Sequence, residues 1–98
     1  VSDVFKLLDD SSRLKVFWLL CHCEECVLNI SGMLKMSSPA VSHHLKLLKQ
    51  SGLIVSRREG KEVYYKVNDS PICEFLHKGI EKIIEKNVSV NFLQDDRT

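Results

Sequence analysis

The stretch from Ser37 to Gly52, SSPAVSHHLKLLKQSG, constrains this chain more than any other. Ser38 followed by Pro39 reads as a helix start: a hydroxyl able to accept from the first free amides, then a residue whose missing N–H is not needed there. Gly52 supplies the stop. At 100° per residue, Val41, Leu45, Leu47 and Leu48 fall on one side, and Ser42, His43, Lys46, Lys49 and Gln50 share the other. The polar face offers hydrogen-bonding groups for base edges and ammonium groups for phosphates, the combination a helix needs to lie in a DNA major groove. The plainer reading is an amphipathic helix with a solvated basic face, and the rest of the chain must decide between them. His44 lies within the apolar arc, so it reads as a packing or hydrogen-bonding histidine and not as a DNA contact.

The segregation of charge favours the DNA reading. The whole chain of 98 residues carries a formal charge of only +1. Between Lys35 and Lys66, however, seven Lys or Arg face only Glu59 and Glu62, a local net of +5 that leaves −4 for the remainder. A chain this short is read as one domain, residues 1–98, with a single modest core and little room for a catalytic cleft. There is no glycine-rich phosphate loop and no spaced carboxylate–histidine–nucleophile set, so an enzyme is not expected. No apolar run reaches membrane-spanning length and no secretory signal is visible, which points to the cytoplasm, where cysteines are thiols or metal ligands.

In chain order, Val1 to Leu8 reads as a short helix with Val1, Val4, Phe5 and Leu8 on one stripe. Asp9, Asp10, Ser11 and Ser12 then offer caps for a second helix, with Leu14, Phe17, Trp18 and Cys21 at helical spacing. The segment CHCEEC breaks the period. Val27 to Lys35 resumes it as a third helix, and a short turn leads into the helix from Ser38, making a helix-turn-helix. After Gly52 the period changes to 2. Leu53–Arg58 and Glu62–Val67 flank Glu59-Gly60-Lys61 as a β-hairpin, with Arg57, Arg58 and Lys61 at its tip to meet the sugar-phosphate backbone. Asp69, Ser70 and Pro71 open a last helix whose stripe, Ile72, Phe75, Leu76, Gly79, Ile80, Ile83 and Ile84, is more than one hairpin can cover. It is expected to pair with its copy in a second subunit, helped by the first helix. The tail from Asn87 to Thr98 has no clear period. The fold expected is mainly α with a β-hairpin wing, a winged helix-turn-helix.

This order of elements resembles the ArsR/SmtB family of bacterial metal-responsive repressors. The residues carrying the resemblance are LLDDSSRLKVFWLL, EECVLNI, SSPAVSHHLKLLKQSGLI and REGKEVYYKV, in order between about Val4 and Glu85. It implies a homodimer that binds double-stranded operator DNA and releases it when an effector binds. Ser42 and His43 then fall at base and backbone contacts and Lys46 and Lys49 near phosphates, with Ser38, Gln50, Arg57, Arg58 and Lys61 completing the DNA-binding set. Two reading helices about one turn of DNA apart predict an imperfect inverted repeat as the operator.

The effector is read from Cys21, Cys23 and Cys26, a Cys-x-Cys-x-x-Cys run. Three thiolates suit arsenic(III), antimony(III) or lead, and a fourth donor from His22, Glu24, Glu25 or a second subunit suits zinc or cadmium. Cys26 matches the first cysteine of the family's box, but Leu28 replaces the second and Asn29 the usual acid. The family's other location maps onto Asp69, Pro71, Lys82 and Glu85, where both imidazoles are lost, and His77 with Glu81 is the i, i+4 pair available as a substitute. Cys21 also continues an apolar stripe, and Cys73, at the edge of the last helix's stripe, reads as structural. Three alternatives stay open: a thiol redox or persulfide sensor on the same fold, cysteines with no sensing role, and a winged-helix protein-interaction module. Glu24 and Glu25 oppose easy thiolate formation but suit a bound cation, which favours metal.

Overall fold

A computed structural model of the chain describes residues 2–86; Val1 and the tail from Asn87 to Thr98 lie outside them. In chain order the elements are α1 (Ser2–Leu7), α2 (Ser11–His22), β1 (Glu25–Cys26), α3 (Val27–Leu34), α4 (Ser38–Gln50), β2 (Ile54–Glu59), β3 (Glu62–Val67) and α5 (Pro71–Lys86). The winged helix-turn-helix expected from the sequence is present, with one addition. The CHCEEC segment contributes a two-residue strand, so the wing is a three-stranded antiparallel sheet in the order β1-β3-β2. Glu25 pairs with Tyr65 and Cys26 with Tyr64, and β3 pairs along its whole length with β2.

The helix ends follow from local chemistry. Asp10 caps α2 by accepting from the Arg13 amide. At α4 the cap is Ser37, one residue earlier than the sequence suggests. Its hydroxyl accepts from the Ala40 amide at 3.2 Å, which leaves Ser38 and Pro39 as the first two helical residues. Gly52 takes φ 85° just past the end of α4. There its amide reaches the Lys49 carbonyl and the Leu53 amide reaches Leu48, the paired bonds of a Schellman stop. Gly60 takes φ 64° at the hairpin turn. Ser70 caps α5 through the Cys73 amide.

One apolar cluster joins these elements: Val16, Phe17 and Leu20 from α2, Ile30 from α3, Val41, Leu45 and Leu48 from α4, Leu53 and Ile54 from β2, and Cys73 and Leu76 from α5. The buried face of α2 is therefore not the stripe read from the sequence. Of Leu14, Phe17, Trp18 and Cys21 only Phe17 is fully buried, and the core side is centred on Val16, Phe17 and Leu20. RLKVFWLLC is apolar almost all round, so its period does not select one face. Cys73 lies in the core, where its Sγ–H donates to the Leu53 carbonyl at 3.3 Å, and not at a dimer edge.

Candidate nucleic-acid interface and effector sites

Burial fixes the rotation of α4. Val41, Leu45 and Leu48 are sealed in the core, so Ser42, His43, Lys46, Lys49 and Gln50 are all exposed, and so is Ser38 at the N-terminal turn. Lys49 Nζ donates to Ser56 Oγ at 2.6 Å, tying the end of the reading helix to the first wing strand. His44 is buried beneath the helix, as its place in the apolar arc requires, and its Nδ1 accepts from Arg13 Nε at 3.3 Å. Burial and the neighbouring Arg13 cation hold its pKa below the usual imidazole value, so it serves α4 as a neutral acceptor. Arg13 also donates to the Leu7 carbonyl, which joins α1, α2 and the reading helix through one side chain.

The wing cations divide. Arg57 and Arg58 are adjacent on a strand and so point to opposite faces. Arg57 turns towards β1: its Nε and Nη2 donate to the two carboxylate oxygens of Glu24 at 2.9 and 3.0 Å, and Nη1 donates to Glu59. Its guanidinium also lies 5.1 Å from the ring centroid of Tyr64, its cross-strand partner. This pairing keeps the Glu24 carboxyl below its ordinary pKa and raises the Arg57 pKa. Arg57 thus reaches the structure with two acidic partners, while Arg58 and Lys61 are exposed beside the turn. Glu24 gave a sequence-level signal only as an acid beside cysteines, and nothing in the spacing links it to a residue 33 positions away.

The three cysteines of the run are not gathered into one ready site. α2 continues to His22, so Cys21 sits on a helix half-buried towards α5. Cys23 is the extended residue that ends α2, with its Sγ–H donating to the Leu19 carbonyl at 3.4 Å. Cys26 is the buried end of β1. The backbone does turn between them, as the broken period suggests, but the turn sends Cys26 into the core. Cys21, Cys23 and Glu24 share one open cleft with Cys73, Glu74 and His77. Burial, with the nearby Cys73 and Glu81, pushes the Cys21 pKa up to about 12, and burial with Glu25 raises that of Cys23. As arranged, these thiols do not fit a preformed thiolate site. At the box position where an acid is usual, Asn29 donates to Glu25 at 2.8 Å.

Among the described residues, one trio of possible ligand atoms lies within 4.8 Å of one another: His22, His77 and Glu81. His77 with Glu81 was visible as a spacing in the sequence. His22, read there as a spare donor for the cysteines, faces these two residues instead.

Apolar residues of α1, the following turn, the start of α2 and α5 line a groove of their own. Phe5, Leu8, Leu14, Phe75, Gly79, Ile80 and Ile83 contribute, and Phe5, Phe75 and Ile83 are 54%, 64% and 56% exposed. With this geometry in view, comparison with known proteins is decisive. The family described as "Bacterial regulatory protein, arsR family" matches residues 10–56. The cadmium resistance transcriptional regulatory protein CadC of Listeria innocua is 38% identical over 81 residues, covering 82% of this chain and 68% of the relative. The chain belongs to the ArsR family of bacterial regulatory proteins. Another relative in this family is the arsenical resistance operon repressor of Escherichia coli, 41% identical over 66 residues, covering 66% of this chain and 56% of that protein. This ArsR-family chain spans 65% of the length of a CadC homolog from Staphylococcus aureus.

Solved structures of similar shape include a homodimeric winged helix-turn-helix DNA-binding domain from Mycobacterium bovis, described as a possible ArsR-family regulator. It has a TM-score of 0.76 and 28% identity, covering 89% of this chain and 80% of that one. The transcriptional regulator HlyU of Vibrio vulnificus has a TM-score of 0.74 and 28% identity, covering 82% of each chain. These relatives are transcriptional regulators, so ArsR-family membership assigns the chain to a DNA-binding and non-enzymatic class. No helix among the described residues is long and apolar enough to cross a membrane.

Proposed function

We propose that this chain acts as a homodimeric cytoplasmic repressor that reads an imperfect inverted repeat with two copies of α4 and leaves it when a metal or metalloid ion binds. The observation that carries the reading is the exposed face Ser42, His43, Lys46, Lys49 and Gln50 on a helix whose opposite side is locked in the core. Ser38 at the start of α4 and Arg58 and Lys61 at the wing tip extend that face towards the backbone of the duplex. A protein-interaction module would not need this basic segment. Arg57 contributes to DNA binding in this reading only when Glu24 releases it.

Lys46→Ala is expected to weaken operator and non-operator DNA alike and to lower the slope of log K against log[salt] by about 1. His43→Ala is expected to relax base preference at one position of each half-site, at a cost of about 1–3 kcal/mol for the preferred base. Fluorescence anisotropy on matched and scrambled duplexes at several salt concentrations separates the two. Identical behaviour of the variants would overturn this division of labour.

For the effector, the names of the relatives support cadmium or arsenic(III), and antimony(III), lead and zinc share the chemistry. Cys21, Cys23 and Cys26 are the proposed thiol ligands, and their use requires residues 21–26 to repack. That segment includes Glu24 and β1, so its movement would disturb both the Arg57 ion pair and the strand against β3. Titrating the operator complex with cadmium and arsenite, for the parent and for Cys26→Ser, tests the reading. Release of the parent with at least a tenfold loss of response in the variant is expected. Equal release by both removes Cys26 from the mechanism.

A further inference from the structure

The geometry points to a second, nitrogen-and-oxygen metal site, in which His22 of α2 and His77 and Glu81 of α5 bind a borderline divalent cation such as zinc or cobalt within one protomer. The two imidazole Nε2 atoms face each other at 3.3 Å, and Glu81 Oε2 lies 3.7 Å from His77 Nε2. Tetrahedral zinc with Zn–N bonds of about 2.0–2.1 Å holds its nitrogen ligands about 3.3–3.4 Å apart, so the imidazoles already have the spacing of a coordinated pair.

The tautomer of His22 is also suited to coordination. His22 Nδ1 lies 2.9 Å from the Trp18 carbonyl, which can only accept, so Nδ1 carries the proton and the lone pair on Nε2 points at His77. An imidazole oriented through its other nitrogen by a backbone carbonyl is the usual outer-shell arrangement of a metal-binding histidine. Without metal, His77 Nε2–H is left to donate to His22 Nε2, and a cation between the rings replaces that hydrogen bond. Two imidazoles and one carboxylate leave a fourth position for water, and they favour zinc or cobalt over the soft ions that prefer sulfur. The site borders the cleft that holds Cys21, Cys23 and Cys73, but its three ligand atoms are nitrogen and oxygen, and none of them comes from a cysteine or from Asp69, Pro71 or Lys82. The exposed residues of the α5 groove, Phe75 and Ile83, are two residues before His77 and two after Glu81, so they project from another side of the helix. A cation here would fasten the end of α2, next to the 21–26 segment, to α5.

Trp18 provides the readout. It is the chain's single tryptophan, and its ring centroid is 4.5 Å from that of His22 and 5.2 Å from that of His77. The experiment titrates the full, reduced, chelator-treated chain with cobalt(II), following indole fluorescence and the visible spectrum, with zinc as competitor. Expected are one cobalt per protomer, quenching of Trp18, reversal by zinc, and d–d bands without a thiolate-to-cobalt charge-transfer band. His77→Gln is expected to weaken binding by at least about 100-fold and Glu81→Gln by about tenfold. Should His77→Gln lose its helical circular dichroism, His22→Gln and Glu81→Gln, at exposed positions, decide instead. Cys26→Ser, the variant that tests the thiol reading, keeps the cobalt spectrum. A thiolate band at the first equivalent, or undiminished binding in the folded histidine or glutamate variants, overturns the site. Because the readout uses no DNA, failure of the repressor reading leaves this result standing.

Discussion

A Phe75→Asp variant is expected to run as a folded monomer at micromolar concentration and to bind the operator at least about 100-fold more weakly than the parent. Phe75 is 64% exposed, so its own protomer gains little from it and the variant keeps its circular dichroism. In a twofold assembly the same side chain is desolvated. A carboxylate there loses its hydration without a partner, which costs several kcal/mol. The α5 face has another feature of a contact surface at Gly79. A Cβ at Gly79 would meet nothing within 4 Å, so packing inside the protomer does not demand glycine, although glycine in a helix interior costs about 1 kcal/mol relative to alanine. In the dimer proposed, glycine between Phe75 and Ile83 would leave a shallow seat for a second copy of the helix. Operator binding falls with the dimer because two linked reading helices gain about 10²–10⁴ in avidity over one. Sedimentation and anisotropy on the same samples check both parts. A dimeric Phe75→Asp protein, or a monomer with parental operator affinity, would contradict the assembly proposed.

How much of this was legible in the sequence depends on the range over which each feature is encoded. The reading helix is local: a serine before proline, an amphipathic run and a stop glycine lie within consecutive residues, and only the cap moved, from Ser38 to Ser37. The burial of His44 follows from the same rotation. α2 carries less information because both of its sides are apolar, and the tertiary contacts of Val16, Phe17 and Leu20 choose its inner face. β1 has two residues, too short for any period, and it exists because β3 offers an unpaired edge. His22, His77 and Glu81 meet only because α2 runs through the first cysteine to His22 and packs against a helix 55 residues further on. Only their i, i+4 half was visible.

The same distinction explains the wing. Sequence adjacency groups Arg57 with Arg58 and Lys61, whereas strand geometry separates Arg57 from Arg58 and gives Arg57 to Glu24. The consequence is functional. The cysteine run and the wing are joined by a two-pronged ion pair and by the pairing of β1 with β3, so a change at residues 21–26 has a short physical route to the strands proposed to meet DNA. Exposed ion pairs of this kind add little to stability, so the contact is better suited to coupling than to holding the fold.

Cys21 is expected to react with iodoacetamide on the order of a thousandfold more slowly at neutral pH than an unhindered cysteine. The reactive form is the thiolate, and a pKa raised from 9.0 to about 12 reduces its population by that factor at any pH below 9. Burial is the largest cause, and the neighbouring Cys73 and Glu81 add to it, so the effect requires α2 and α5 to stay packed. The sign for stability follows. Below pH 9 the thiol is neutral in both folded and unfolded chains and no difference arises. Above pH 9 the unfolded chain ionises first, so the folded state loses stability as pH rises towards 12. Mass-spectrometric mapping of alkylation between pH 7 and 10 resolves Cys21 from Cys23, whose thiol is shifted in the same direction. Rapid labelling of Cys21 in the folded protein would favour the redox or persulfide reading, which depends on an accessible thiolate. Slow labelling that persists leaves Cys21 available only to an ion able to displace its proton, or to none.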